Sequence, residues 1–260
     1  MSQFSIRAVI ARTFNMIGRS FTSVGVLIIG TQVVMAAIQF AIVRPLMVDA
    51  VSGQASPAGL FLSPGYWIGS AAGLVIFNFL IAGATHGYLV AGDNRRPELG
   101  DCLRAGFVNT LPVFGLTVLW ILGVWLGFIL LVVPGLILMT MWSLCIPVLV
   151  SGEAGVMGSF GRSRALTKGA RLKIFALLLL LMVIYYALTA MMMGSVFTAS
   201  GPGNVAGAMT AAMAPAILAG SLIVATVFMF LLPALLAATY IEAVHVQFGS
   251  RDGSVAEVFS

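Results

Sequence analysis

Two long stretches without a charged residue constrain this chain more than any other feature. No Asp, Glu, Lys or Arg occurs between Arg104 and Glu153, or between Lys173 and Glu242. As a helix, about 20 consecutive apolar residues already cross the hydrocarbon core of a bilayer. Only 8% of the residues are charged and 60% are hydrophobic, whereas soluble domains have about 25% charged residues. We therefore predict an all-α fold, a polytopic transmembrane helical bundle.

The apolar runs divide best into six spans within a single integral membrane domain, residues 1–260. We place the spans near 21–44, 66–92, 111–132, 136–151, 174–197 and 214–240. As one straight helix, residues 111–150 would be about 60 Å long, twice the hydrocarbon core of roughly 30 Å. Pro134-Gly135 is expected to break this stretch, because proline lacks a backbone donor and glycine permits a turn. The alternative is one span followed by a re-entrant segment.

The placement of basic residues favours six spans over five. With six spans, every Lys and Arg except Arg44 lies on the same side as the N-terminus. The positive-inside rule assigns such a side to the cytoplasm. With five spans, the basic residues from Arg162 to Lys173 would lie on the opposite side. We therefore predict six spans and two cytoplasmic termini.

Short basic segments precede each pair of spans, at about 4–19, 97–110 and 153–168. In the first segment, apolar residues recur at helical spacing and basic residues lie on the other side, as in an interfacial amphipathic helix. We predict three hairpins with cytoplasmic interfacial helices. The order of elements is consistent with a threefold repeat around an axis normal to the membrane. It is also what any two-span units with cytoplasmic linkers would show.

The strongest charged feature is a cluster of cations before the fifth span, formed by Arg162, Arg164, Lys168, Arg171 and Lys173. Basic residues beside a span attract anionic lipid headgroups by about 1 kcal/mol each. We predict that these five residues contact anionic headgroups on the cytoplasmic side. The alternative is that they only orient the chain. The net charge of +5 does not indicate nucleic acid, because no stacking platform or zinc-ligand spacing accompanies it.

Polar residues inside spans are costly, so they mark either a functional site or hydrogen bonds between helices. The intramembrane candidates are Gln32, Asn78 and His86. No P-loop, G-x-S-x-G elbow or paired carboxylates occur, and His86 and His245 form no HExxH motif. We therefore expect no catalytic residue, no metal and no cofactor. The GxxxG pairs Gly69/Gly73, Gly83/Gly87 and Gly123/Gly127 indicate close helix packing, either internal or between copies.

Three motifs follow one another in the middle of the chain. An LLVVPG turn ends at Pro134-Gly135, Glu153 follows it, and an RSRALTKG segment runs from Arg162 to Gly169. The order resembles that of the YciC-like bacterial membrane proteins and of the related membrane domain of some glycerophosphodiester phosphodiesterases. The likeness covers about residues 100–185. It marks as structural motif residues Pro134, Gly135, Glu153, Arg162, Ser163 and Gly169.

The resemblance implies a bacterial inner-membrane protein with about six spans. It does not imply phosphodiesterase activity, because the catalytic barrel of those enzymes is a separate soluble domain. Our first hypothesis is a non-enzymatic protein that interacts with membrane lipids or docks onto a membrane protein complex or another copy of itself. The alternative is a transporter or translocation path for a small or lipid-like molecule through a cavity in the bundle. An intramembrane enzyme is the third hypothesis.

Overall fold

The computed structural model describes residues 4–51, 59, 62–200, 207, 211 and 214–258. This part of the chain consists of helices and connecting turns and contains no β-strand. Within it, six helical segments are long and apolar enough to cross a membrane. The prediction of an all-helical, multi-pass membrane fold is confirmed at this level. The arrangement as three hairpins with interfacial helices stays a prediction.

Nine α-helices and one π-helical segment, Gln39–Val43, make up the described fold. In chain order the α-helices are α1 Ile6–Ile38, α2 Arg44–Val51, α3 Pro64–Gly92, α4 Leu99–Leu130, α5 Val132–Met141, α6 Cys145–Val150, α7 Val156–Leu166, α8 Arg171–Ser200 and α9 Pro215–Val258. The segments that could span a membrane are Ile6–Ile42, Pro64–Gly92, Leu99–Leu130, Val132–Val150, Arg171–Thr198 and Ala216–Gln247.

The chain is organised in two compact units. Unit 1 comprises Met1–Leu27, Asn78–Leu180 and Phe230–Ser260, and unit 2 comprises Ile28–Phe77 and Leu181–Met229. In the sequence of unit 2, Arg44 and Asp49 are the only charged residues. Unit 1 therefore holds all the other Asp, Glu, Lys and Arg residues, and the chemistry of charged groups lies there.

The predicted surface helix 4–19 is not separate from the first span. Residues Ile6–Ile38 form one α-helix, so the basic segment is its first part. The range contains no proline, and a glycine such as Gly18 costs a helix only about 1 kcal/mol relative to alanine. The second basic segment is likewise continuous with the third span in Leu99–Leu130. Of the three segments, 153–168 alone contains a helix of its own, Val156–Leu166.

The break between the third and fourth spans lies at Leu131, three residues before Pro134. Leu131 is extended, with φ −169° and ψ 152°. Pro134 falls in the first turn of α5, where a missing backbone N–H removes no helical hydrogen bond. Beyond the turn, Gly135 packs on Gly127, because a Cβ on Gly127 would lie 2.9 Å from the Gly135 Cα atom. The Pro-Gly pair therefore shapes the start of α5 and its contact with α4.

Candidate functional site

Hydrogen bonds join several segments at one end of unit 1. The Lys173 ammonium group donates to the Phe4 carbonyl oxygen at 2.8 Å. The Ser5 backbone N–H donates to Glu242 Oε1 at 3.4 Å, and Arg12 forms an ion pair with the other carboxylate oxygen at 3.4 Å. We call this part of unit 1 the charged end, defined by residues 4–19, 93–98, 151–173 and 240–247.

Glu153 is the centre of a hydrogen-bonded cluster in the charged end. Arg162 Nε donates to Glu153 Oε2 at 2.8 Å. The Tyr240 hydroxyl donates to Glu153 Oε1, and its oxygen lies 3.2 Å from Ser151 Oγ. Burial raises the pKa of Glu153, but the hydrogen bonds from Tyr240 and Arg162 and the charge of Arg162 outweigh it and lower the pKa. The carboxylate is therefore held in its ionised form.

The turn that presents Glu153 depends on glycine. Gly152 has φ +80°, a conformation that side chains with a Cβ rarely adopt. It lies between the end of α6 at Val150 and the start of α7 at Val156. A second left-handed glycine, Gly169 with φ +89°, lies between α7 and α8. These two positions set the directions in which the chain enters and leaves α7.

Ser163 satisfies the backbone at a break in the fourth span. Helix α5 ends at Met141, and α6 begins at Cys145. The Ser163 hydroxyl donates to the Met141 carbonyl oxygen at 2.8 Å and accepts from the Leu144 N–H at 3.2 Å. Its side chain is fully buried, at 0% exposure. Because buried backbone groups need hydrogen-bond partners, this one hydroxyl fastens α7 to the interrupted span.

Two of the five basic candidates are engaged within the protein. Arg162 pairs with Glu153, and Lys173 is bound to the Phe4 carbonyl oxygen. Both side chains are half-buried. Their hydrogen-bonding capacity is directed at the protein itself, so these two residues are less suited to headgroup contacts than the sequence predicted.

The other three basic candidates have free donors. Arg164 and Lys168 are exposed, and neither forms a salt bridge with any described residue. Arg171 is half-buried, and its Nε atom is buried without a hydrogen-bond partner in the described part of the chain. Arg164 lies in the last turn of α7, and Arg171 is the first residue of the spanning helix α8. These three cations therefore lie around the beginning of a span.

An open groove of about 360 Å³ lies in unit 1 beside the Glu153 cluster. Its polar lining consists of His86, Asp93, Ser151, Tyr240 and His245. Its apolar lining consists of Leu89, Val90, Val150, Ile241 and Val244. The two histidines of the chain, one from α3 and one from α9, thus line the same groove. No group of three His, Cys, Asp or Glu residues suited to a metal ion occurs among the described residues.

The three intramembrane candidates do not form one site. Asn78 is 1% exposed, and its Oδ1 atom accepts a hydrogen bond from Thr117 Oγ1 at 2.9 Å. Gln32 belongs to unit 2 and is half-buried. Of the three, His86 alone lines the groove. Asn78 thus has the interhelical hydrogen bond that was one of its two sequence interpretations.

Two of the GxxxG pairs mediate packing inside unit 1. A Cβ on Gly83 would lie 2.7 Å from the Cys102 carbonyl oxygen, and one on Gly87 would lie 2.9 Å from Cys102 Sγ. A Cβ on Gly123 would lie 2.3 Å from the Trp142 ring. Glycine at these positions lets α3 approach α4, and α4 approach the residues that follow α5.

Several residues of the site could not be identified from the sequence. Tyr240 had the appearance of an interfacial aromatic residue at the end of a span, and Ser151 and Asp93 had no distinguishing pattern. The only signal for Tyr240 was its position next to a span end that also carries Glu242 and His245. No local pattern connects it with Glu153, which precedes it by 87 positions.

The fold and site together define a multi-pass α-helical membrane protein with a charged end in one of its two units. Comparisons with protein-family models, with curated proteins and with solved structures found no match. The resemblance to the YciC-like proteins therefore stays a prediction from the motif residues.

Proposed function

We propose that the protein is a non-enzymatic, multi-pass protein of a bacterial inner membrane, and that its charged end binds anionic lipid headgroups. The observation that supports this most directly is the exposure of Arg164 and Lys168, which form no salt bridge with a described residue. They lie seven and three residues before Arg171, the first residue of a spanning helix. Cations next to the start of a spanning helix are within reach of lipid phosphates.

The energetics favour headgroup binding by several cations acting together. A basic residue near an anionic membrane surface gains about 1 kcal/mol. Exposed cations of the charged end also include Arg7, Arg95 and Arg96. The carboxylates of Glu153 and Glu242 are each paired with an arginine. An anionic lipid is thus the natural counterion for the remaining positive charge.

Lipid binding has more structural support than the transport alternative. Transport through the bundle needs a polar cavity deep in the membrane, reached by Gln32, Asn78 or His86. Asn78 is buried and hydrogen-bonded to Thr117. His86 lines a groove together with Asp93 and Ser151, both of which lie outside the spanning segments. This places the polar surface of the groove at an end of the spans.

The test is the double variant Arg164→Gln/Lys168→Gln. The purified protein is titrated with phosphatidylglycerol or phosphatidylcholine, and the retained lipids are counted by native mass spectrometry. We expect the wild type to retain phosphatidylglycerol preferentially and the double variant to lose roughly thirtyfold in affinity for it, since two contacts of about 1 kcal/mol each are removed.

The matched control is Arg164→Lys/Lys168→Arg, which keeps both charges at both positions. It should bind phosphatidylglycerol as the wild type does. The proposal is wrong if the wild type shows no preference for phosphatidylglycerol over phosphatidylcholine, or if the two glutamine substitutions leave that preference unchanged.

A further inference from the structure

The groove lies where lipid headgroups lie in a membrane. His86 is in the last two turns of the span Pro64–Gly92, and Asp93 is the first residue after it. Tyr240 and His245 are in the last turns of the span Ala216–Gln247. Spanning helices end at the interface between hydrocarbon and headgroups. The groove therefore opens at the depth of phosphates and amines, and its volume of about 360 Å³ is within the range of small-ligand sites, roughly 300–1,000 Å³.

The lining combines two kinds of polar group with opposite preferences. The imidazoles of His86 and His245 can donate hydrogen bonds to a phosphate, whereas the Ser151 hydroxyl already donates to the Val148 carbonyl oxygen. The Asp93 carboxylate accepts hydrogen bonds and favours a cation. None of the lining residues is Lys or Arg. The nearby carboxylate of Glu153 is already paired with Arg162, so Asp93 is the carboxylate of the lining that is left for a ligand.

A zwitterionic ligand matches this lining better than a ligand of one sign. A purely anionic headgroup would face the Asp93 carboxylate with no lining cation to offset the repulsion. A simple amine would leave the imidazole donors without an acceptor. A primary ammonium joined to a phosphate by a short linker satisfies both sides. The apolar lining, including Leu89, Val90 and Val244, provides a surface for the glycerol and the start of the acyl chains.

We propose that this groove binds the phosphoethanolamine headgroup of a zwitterionic phospholipid, with the ammonium group at Asp93 and the phosphate at the two histidines. This site shares no residue with the cations around Arg164 and Lys168, and it selects a different headgroup. It therefore goes beyond the binding of anionic lipids, and each of the two proposals can fail without the other.

The first test uses the unaltered protein. Native mass spectrometry compares retention of phosphatidylethanolamine with that of phosphatidylcholine, whose quaternary ammonium cannot donate a hydrogen bond to a carboxylate. Calorimetry with soluble O-phosphoethanolamine forms a second arm. We expect about ten- to hundredfold preference for phosphatidylethanolamine, the effect of one hydrogen bond between charged groups. Binding of O-phosphoethanolamine as tight as that of the lipid would assign the groove to a soluble ligand and overturn the lipid proposal.

The second test uses Asp93→Asn, with Asp101→Asn as the matched control. Both carboxylates are exposed, but Asp101 lies in the first turn of α4 and does not line the groove. We expect Asp93→Asn to abolish the preference for phosphatidylethanolamine over phosphatidylcholine and Asp101→Asn to keep it. The combined variant His86→Gln/His245→Gln should weaken the binding of phosphatidylethanolamine and of phosphatidylcholine equally, because both lipids carry the phosphate.

Two further results would overturn the proposal. One is equal retention of phosphatidylethanolamine and phosphatidylcholine by the wild type, which needs no variant and so does not depend on the folding of one. The other is a preference that Asp93→Asn leaves unchanged. Neither result would affect the proposal that Arg164 and Lys168 bind phosphatidylglycerol. Conversely, a failure of that proposal would not affect the proposal for the groove.

Discussion

The Tyr240 hydroxyl donates a hydrogen bond to Glu153 across 87 positions of sequence. This bond joins the end of the last span to the turn before α7, and Arg162 binds the other oxygen of the same carboxylate. One glutamate therefore holds together two elements of the charged end and leaves Arg164 and Lys168 at the surface. Four predictions follow from these contacts and from the packing around them.

Removing the Tyr240 hydroxyl should destabilise the charged end. In Tyr240→Phe, Glu153 loses one of its two hydrogen-bond donors, so the pKa of Glu153 should rise and the free energy of unfolding should fall by about 1 kcal/mol. Thermal unfolding in detergent measures the loss. The control is Tyr186→Phe, because Tyr186 is 64% exposed. A Tyr240→Phe melting temperature equal to that of the control would contradict the role of this bond.

Stability should depend on pH through Glu153. Its pKa lies below the ordinary value of 4.5, because hydrogen bonds and the charge of Arg162 outweigh burial. A carboxyl whose pKa is lower in the folded state contributes its full stability above the unfolded pKa and loses it as the pH falls through the folded value. Melting temperatures of wild type and Glu153→Gln should thus differ near neutral pH and converge in acid.

The control for this pH series is Glu98→Gln, which removes an exposed carboxylate at the start of α4 and leaves the Glu153 contacts intact. It should follow the wild-type curve between neutral pH and acid. A constant difference between wild type and Glu153→Gln at all pH values would show that the charge of Glu153 contributes nothing.

The buried Ser163 hydroxyl should be essential to the interrupted fourth span. Ser163→Ala leaves the Met141 carbonyl and the Leu144 N–H without this partner, so we expect a loss of about 1–3 kcal/mol in the free energy of unfolding. Ser221→Ala is the control, because Ser221 is exposed and its hydroxyl binds only within its own helix. Denaturation monitored by tryptophan fluorescence compares the two, and equal stabilities would disprove the role.

The contact of Gly127 with Gly135 should not tolerate a methyl group. In Gly127→Ala the Cβ would lie 2.9 Å from a backbone atom, which cannot move aside as a side chain can. We expect a loss of about 1–3 kcal/mol from overpacking. Gly115→Ala, in the same helix, meets no atom within 4 Å and should be neutral or gain up to about 1 kcal/mol. Thermal shifts of opposite sign would distinguish the two sites, and similar shifts would contradict the prediction.

The extent of two of the long apolar helices could be predicted closely from the sequence. The span predicted at 66–92 is Pro64–Gly92 in the structure, and the span at 174–197 is Arg171–Thr198. Apolar length and the absence of charge are properties of consecutive residues, so a bilayer span can be recognised without knowledge of its neighbours. The positions at which one helix ends and the next begins were less predictable. The chain turns at Leu131 before reaching Pro134, and Ile6–Ile38 continues without a break.

For the motif residues, too, local features could be predicted from the sequence and long-range contacts could not. Their local chemistry indicated a turn at Pro134-Gly135, and the structure breaks the helix at Leu131. The partners of Glu153 and Ser163 were outside that prediction. A carboxylate or hydroxyl in a sequence shows its capacity for hydrogen bonds, but only packing determines which donor lies within reach.

The sequence by itself determined the class of the protein, because long uncharged stretches cannot be accommodated in water and their flanking cations mark one end of the helices. Only the tertiary structure decided which side chains from distant helices meet. It placed His86 and His245 in one groove and Tyr240 on Glu153. Such contacts between distant side chains depend on how whole helices pack in three dimensions. A short stretch of consecutive residues does not determine that packing.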